Sequence, residues 1–159
     1  MFKKLVVTFG GTGLLPAMPG TFGSLAAAVV YGVAWYFLGE RTWMLMAPLT
    51  LAAGAVGIAL YPWARAHFGN NDPRSFVLDE AVGQWATLMF IPLSPHPLSY
   101  IAAGFFLFRA FDVAKPFPIG RIERLTGWAG VMLDDVAAAV GAGICLRALV
   151  WLMERGLGG

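Results

Sequence analysis

Ser24 to Gly39 reads SLAAAVVYGVAWYFLG and Thr42 to Tyr61 reads TWMLMAPLTLAAGAVGIALY, with only Glu40 and Arg41 between them. The second run supplies the ~20 apolar residues that a bilayer crossing needs. Together the two read as a transmembrane helical hairpin closed by a tight polar turn, with Pro62 as a stop signal. Further along, Ala81 to Leu93 and Leu98 to Phe108 are each shorter than a crossing and are separated by Ser94-Pro95-His96-Pro97. They fit two short or tilted spans, or a re-entrant pair buried among the other helices. Val136 to Met153 closes the set, with Arg147 in its interior, where a buried partner or snorkelling to the nearer face is expected. The expected fold is therefore all-α: a polytopic helical membrane protein with four or five transmembrane or re-entrant helices, in one membrane-embedded domain over 1–159.

Composition agrees with that fold. Of 159 residues, 58% are hydrophobic and only 13% charged, about half the ~25% of an average soluble domain. A formal net charge of +2 and no dispersed basic face argue against a nucleic-acid partner; anionic lipid suits the basic residues better. The one cysteine, Cys145, excludes an intramolecular disulfide and a cysteine-built zinc site, and is expected as a small buried hydrophobe. Lys3-Lys4 is followed by too short an apolar run for a signal peptide, so targeting is expected to come from the helices.

Such a chain cannot hide stray charge cheaply, since a carboxylate at the centre of a lipid-facing helix costs ~2.5–3.5 kcal/mol. Yet seven of its nine acids, Asp72, Asp79, Glu80, Asp112, Glu123, Asp134 and Asp135, fall in three short stretches. If the chain weaves at each apolar segment, one side also collects Lys3, Lys4, Arg65, Arg74, Arg109, Lys115, Arg121 and Arg124, against Arg41 and Arg155 on the other. The positive-inside rule puts the first side, with all seven acids, in the cytoplasm.

In the first stretch, Ser75 is a candidate cap for a helix that opens with Asp79 and Glu80. These acids are either solvated helix-start carboxylates favoured by the macrodipole or flank a bound cation. In the second, Arg109, Asp112 and Lys115 recur every three residues on a helix that Pro116 ends, giving either an ion-pair ladder or a phosphate clamp. In the third, Asp134 and Asp135 open an apolar helix. One acid suffices as a cap, and the like-charge repulsion of a second is relieved by Mg²⁺, which takes carboxylate oxygens and substrate phosphates. Near the N-terminus, Gly10-Gly11-Thr12-Gly13 and Pro19-Gly20-Thr21-Phe22-Gly23-Ser24 are either ordinary capped turns or an anion cradle. They lack the Gly-Lys-[Ser/Thr] ending of a Walker loop.

These segments, in this order and spacing, resemble the phosphatidylglycerophosphatase A family, bacterial Mg²⁺-dependent membrane phosphatases that convert phosphatidylglycerol phosphate to phosphatidylglycerol. The likeness rests on Pro19-Gly-Thr-Phe-Gly-Ser24, Val77-Leu-Asp-Glu80 with Gly83 and Trp85, Phe108-Arg-Ala-Phe-Asp-Val-Ala-Lys-Pro-Phe-Pro-Ile119 and Gly130-Val-Met-Leu-Asp-Asp135, and runs from about Thr8 to about Gly143. Ala139 stands where the family usually has Gly. The resemblance implies an inner-membrane enzyme whose acids and basic residues form a cytoplasmic-face site; on the chemistry of the residues themselves, Asp79, Glu80, Asp134 and Asp135 are the candidate Mg²⁺ ligands, and Arg109, Lys115, Thr21 and Ser24 the candidates for the substrate phosphate. Asp79, Asp112, Asp135 and Lys115 are the catalytic candidates, with water attack and an aspartyl-phosphate both open.

Cys145 and the histidines His67 and His96 lie away from the acidic stretches, which disfavours a thiol route or a histidine-based lipid phosphatase. The Asp-Gly-x-x-Ala-Arg signature of phosphatidyl-group transferases is missing. A membrane cation transporter is the alternative from another class; its carboxylates belong near the bilayer midplane, not beside Arg and Lys at one face. The charge count generates a topology prediction: in a Cys145→Ser background, a cysteine at position 123 is expected to resist a membrane-impermeant thiol reagent in intact cells. Labelling of that position from outside would invert the orientation.

Overall fold

The computed structural model describes residues 1–71, 73–91 and 97–156. Among them every regular element is helical: α1 (Phe2–Val7), α2 (Pro19–Leu38), α3 (Thr42–Phe68), α4 (Leu78–Leu88), α5 (Pro97–Ala114), α6 (Ile119–Ile122) and α7 (Trp128–Gly156). Asp72, and Ser94, Pro95 and His96 of the expected turn, lie outside the described residues. Two stretches are long and apolar enough to cross a membrane: Pro19–Phe68, which is α2 and α3 with their connection, and Trp128–Met153. A core helix of a soluble protein would be mostly buried, whereas only 17% and 33% of the most apolar windows of these two are.

The hairpin turn falls where the polar pair predicts it, as a single 3-10 turn, Gly39–Arg41, with Gly39 at φ +53°. The Thr42 hydroxyl donates to the Gly39 carbonyl at 2.7 Å and ties off the start of α3. Pro62 does not stop this helix, which continues to Phe68. Proline removes only its own N–H and crowds one carbonyl a turn earlier, and neighbouring contacts hold the continuation. The Tyr61 hydroxyl donates to the Asn71 carbonyl at 2.6 Å, and the rings of Trp63 and His67 stack at 4.6 Å.

α4 is the centre of the bundle. It packs against α2, α3, α5 and α7, and of its residues only Glu80 and Ala86 are not buried. At 11 residues it advances only ~16 Å at ~1.5 Å per residue, half of a ~30 Å hydrocarbon core. Trp85 locks it to α2 by donating its indole N–H to the Ala27 carbonyl at 2.9 Å. Its N-terminus carries no side-chain cap; Val77, not Ser75, is the cap residue, and its N–H donates to the Val7 carbonyl at 3.0 Å, binding this corner to α1.

Close approach to α4 depends on glycines. A Cβ on Gly23 would stand 2.9 Å from the Val77 Cβ, and one on Gly20 would collide with the Glu80 carboxylate. On α7 the buried stripe runs Asp135, Ala138, Ala139, Ala142, Leu146, Val150, the spacing of one helix face. Cys145 falls beside that stripe and is exposed, contrary to its expected burial; Arg147 also faces outward. α7 begins at Trp128, so Asp134 and Asp135 lie in its second turn and do not open it.

Gly83 of α4 faces α5, where a Cβ would lie 2.6 Å from two ring atoms of the fully buried Phe108. Gly83→Ala is expected to lower the melting temperature in detergent, because overpacking a core costs ~1–3 kcal/mol and each kcal/mol is worth ~2–4 °C at this size. Gly54→Ala, whose Cβ would meet only Val82 at 3.9 Å, is the control expected to change little.

Candidate active site

Adjacent residues on a helix point about a quarter-turn apart, so neither acid pair can aim both carboxylates along one line. In the first turn of α4 the Asp79 carboxylate is held by the Glu80 N–H, which donates to Oδ1 at 3.0 Å. Glu80 uses its longer arm to reach the same spot, beside Gly20. On α7, Asp135 continues the buried stripe and meets them. One carboxylate oxygen from each of Asp79, Glu80 and Asp135 lies within 4.8 Å of the others.

Asp134 takes the other direction. Its Oδ1 accepts from the Asp135 N–H at 2.9 Å, and its Oδ2 pairs with the Lys115 ammonium at 2.7 Å. It stands at the rim of the three-acid set, although the sequence groups it with the other three as a ligand. Lys115 has a second partner in Glu123, also at 2.7 Å. Its left-handed backbone, φ +43°, turns the chain just after α5. Nearly two turns earlier, Arg109 Nη1 pairs with Asp112 Oδ2 at 2.5 Å and lies 3.4 Å from the Ser24 hydroxyl, which donates to the Gly20 carbonyl at 2.9 Å. Ser24 is fully buried and thus touches Arg109 from below, while Thr21 lines an opening on the α2 side.

Two cavities converge on these groups. One of about 440 Å³ is lined by Asp79, Glu80, Asp112, Lys115, Asp134 and Asp135, with Glu123, Tyr61 and Arg65 at its edges. The other, of about 350 Å³, reaches Asp79 and Glu80 from the opposite side, past Thr21, Arg74 and Arg109. Sequence reasoning assigned no role to Glu123, Tyr61, Arg65 or Arg74. It also passed over Gln84, fully buried one turn below Glu80, with neither amide atom hydrogen-bonded. Its spacing of four from Glu80 was the available signal. His67 stacks on Trp63 and lines neither cavity.

The electrostatics suit a bound cation. Burial raises Asp79 well above the usual carboxylate range, reinforced by Glu80 and Asp135, and burial raises Glu80 as well. Glu80 Oε2 is buried with no hydrogen-bond partner. Burial disfavours the Lys115 ammonium, but its bonds to Asp134 and Glu123 outweigh that and raise its pKa. Three crowded carboxylates with an orphaned oxygen fit a divalent ion, which prefers oxygen ligands and relieves the repulsion.

The sequence that builds this acid-lined helical bundle matches a known family. The family model for phosphatidylglycerophosphatase A matches residues 5–150. A phosphatidylglycerophosphatase A of Escherichia coli K12 is 39% identical over 86% of this chain and 76% of its own length. One of Haemophilus influenzae Rd is 37% identical over 94% and 88%. A Bacteroides thetaiotaomicron protein provisionally named a phosphatidylinositol-3-phosphatase is 34% identical over 94% of each. No solved structure matches significantly. The chain belongs to the phosphatidylglycerophosphatase A family, which sets it among phosphatases of phospholipid metabolism.

A carboxylate whose folded-state pKa is raised destabilises the fold once pH exceeds its ordinary value. In chelator-treated detergent at neutral pH, Asp79→Asn is therefore expected to raise the melting temperature, by ~2–4 °C for each kcal/mol of repulsion and desolvation removed. Adding Mg²⁺ should stabilise the wild type and not the variant. A fall in the variant's melting temperature without cation would show that the ionised cluster is not a strained one.

Proposed function

We propose that this protein is a Mg²⁺-dependent phosphatidylglycerophosphatase, a single membrane-embedded domain that hydrolyses the terminal phosphomonoester of phosphatidylglycerol phosphate to phosphatidylglycerol and inorganic phosphate. The site would face the cytoplasm from a bacterial inner membrane. The observation that carries the proposal is the meeting of Asp79, Glu80 and Asp135 within 4.8 Å, between the cations Arg109 and Lys115. The names of the relatives in Escherichia coli and Haemophilus influenzae support the substrate.

Asp79, Glu80 and Asp135 would hold the ion, with Asp134 as a fourth carboxylate tied to Lys115. When bound, Mg²⁺ supplies Lewis-acid polarisation of phosphoryl oxygens and offsets the charge of the acids. The chain's own groups then do the rest. Lys115 and Arg109 are already turned inward by Asp134 and Asp112, and a phosphate dianion can share or take over those charge-assisted bonds. Thr21 offers a hydroxyl at the second opening, and Ser24 steadies Arg109. Asp112 lies outside the three-acid set, which leaves it to accept the proton of the attacking water. As water adds to phosphorus, the bond to the glyceryl oxygen breaks and that oxygen takes up a proton from solvent in the open cleft. Acids gathered beside Arg and Lys suit phosphoryl chemistry better than a transport path, for which a lone carboxylate deep in the bundle would serve.

Phosphate release from purified protein with and without Mg²⁺ tests the proposal. Lys115→Ala is expected to lower kcat/KM by ~10–1,000-fold, as for a lost charge-stabilising contact, with cation binding retained. Asp135→Asn should weaken the Mg²⁺ dependence and abolish most turnover at any substrate concentration, whereas Asp134→Asn, at the rim, should keep more. Wild-type activity in both Lys115→Ala and Asp135→Asn would remove the phosphatase assignment of this site. The Bacteroides relative's name motivates a second headgroup: faster release from phosphatidylinositol 3-phosphate than from phosphatidylglycerol phosphate would reassign the substrate and leave the site standing.

A further inference from the structure

α2 and α5 run antiparallel, and their contact begins at the site, where Ser24 meets Arg109. From there an apolar groove of about 530 Å³ follows the two helices away from the acids, within the ~300–1,000 Å³ of ordinary ligand pockets. Its lining on α2 runs from Leu25 through Gly32 to Phe37, and on α5 from Leu98 through Ala102 to Phe106. Both sets follow the three-four spacing of a single helix face. Extended one turn toward the site, the same faces carry Thr21 on α2 and Arg109 on α5, two of the groups that line the second opening to Asp79 and Glu80. A polar opening with Arg109 thus lies one helical turn from the end of an apolar trough.

The trough is made by small residues. Ala28 and Ile101 form a buried floor, and a Cβ on Gly32 would meet only Ile101, at 3.7 Å. Exposed Val29, Val33 and Phe106 stand as walls. From Leu25 to Tyr36 the groove spans ~17 Å at ~1.5 Å per residue, about one leaflet of a ~30 Å hydrocarbon core.

We infer that this α2–α5 groove seats one acyl chain of the phospholipid substrate, with Arg109 at its mouth fixing the anionic headgroup. The inference rests on the phosphatase proposal above and adds how a membrane-held substrate is registered. Lipid tails are as apolar as leucine, so the seat gives little affinity over the bilayer; it fixes depth and direction, and a misplaced reacting group loses rate steeply. Charge and length together favour a lipid chain over a helix from a second copy, for which a cationic mouth aimed at a phosphatase site has no use.

The test compares two forms of phosphatidylglycerol phosphate, both with the terminal phosphomonoester, one carrying two six-carbon chains and one two sixteen-carbon chains, in the same detergent micelles. Gly32→Leu and, independently, Ala102→Phe fill the groove; Leu51→Phe, on an exposed face of α3, is the control. The filled variants are expected to lose ~10–100-fold in kcat/KM on the long-chain substrate and to stay within about twofold of wild type on the short one, with the control unchanged on both. Equal losses on both substrates, or none on either, overturn the inference. Absence of wild-type activity on both substrates would instead defeat the phosphatase proposal. A long-chain phosphatidic acid with a mid-chain photoreactive diazirine gives a readout that needs no turnover: its adducts should map to residues 25–36 and 98–106 and vanish in Gly32→Leu. Adducts spread evenly over the apolar surface would mark ordinary surrounding lipid, and protein–protein adducts a second copy; both outcomes reject the chain seat.

Discussion

Burying a carboxylate without a counter-charge is among the most costly things a protein can do, and this bundle buries the acidic end of its central helix. α4 is short, surrounded on four sides and opened by Asp79 and Glu80. The rest of the structure is arranged around that strain. The positive end of the α4 dipole favours both acids, the Glu80 N–H holds Asp79, and Arg109 and Lys115 are brought close on α5 and its C-terminal turn. Yet Asp135 arrives from α7 as a third negative group, and among the described residues no ammonium or guanidinium forms an ion pair with any of the three. A divalent ion is the natural completion of such a set.

The glycines of Pro19-Gly-Thr-Phe-Gly-Ser24 serve the same constraint. An anion cradle of backbone N–H groups was one expectation for them. Their geometry shows a spacing role: Gly20 and Gly23 let α2 press onto the start of α4, where any side chain would strike Glu80 or Val77. With α2 that close, Ser24 reaches Arg109 and Trp85 reaches the Ala27 carbonyl. Packing and chemistry are joined here, because the contact that seats the helix also sets the wall of the site.

Helical periodicity explains how the paired acids divide. Asp135 lies on the stripe that continues through Ala138, Ala142 and Leu146 into the core, so its carboxylate points at α4. Asp134 lies a quarter-turn aside and meets Lys115 at the rim. One member of the pair is thereby available to a cation and the other to a cationic side chain. The same face logic on α2 and α5 links Thr21 and Arg109 to an apolar groove, so that polar and lipid-like surfaces adjoin along one seam.

The apolar runs, the Glu40-Arg41 turn and the helix end before Pro116 were legible from residue type alone, because hydrophobic length and chain-breaking residues act locally. The Arg109–Asp112 pair was legible too, because residues three apart share one helix face; Lys115, expected to continue that row, leaves the helix after Ala114 and pairs with Asp134 and Glu123. Other features also escaped the sequence. Pro62 looked like a stop, but contacts from Tyr61 and Trp63 carry α3 past it. Cys145 looked buried by composition, but the inward stripe of α7 passes beside it. The choice of Asp135 over Asp134 for the three-acid set, the pairing of Lys115 with Glu123 and the burial of Gln84 below Glu80 needed the tertiary structure. Each depends on which face of a helix meets which neighbour, and that is set by close packing among α2, α4, α5 and α7, not by any property of the residues in isolation.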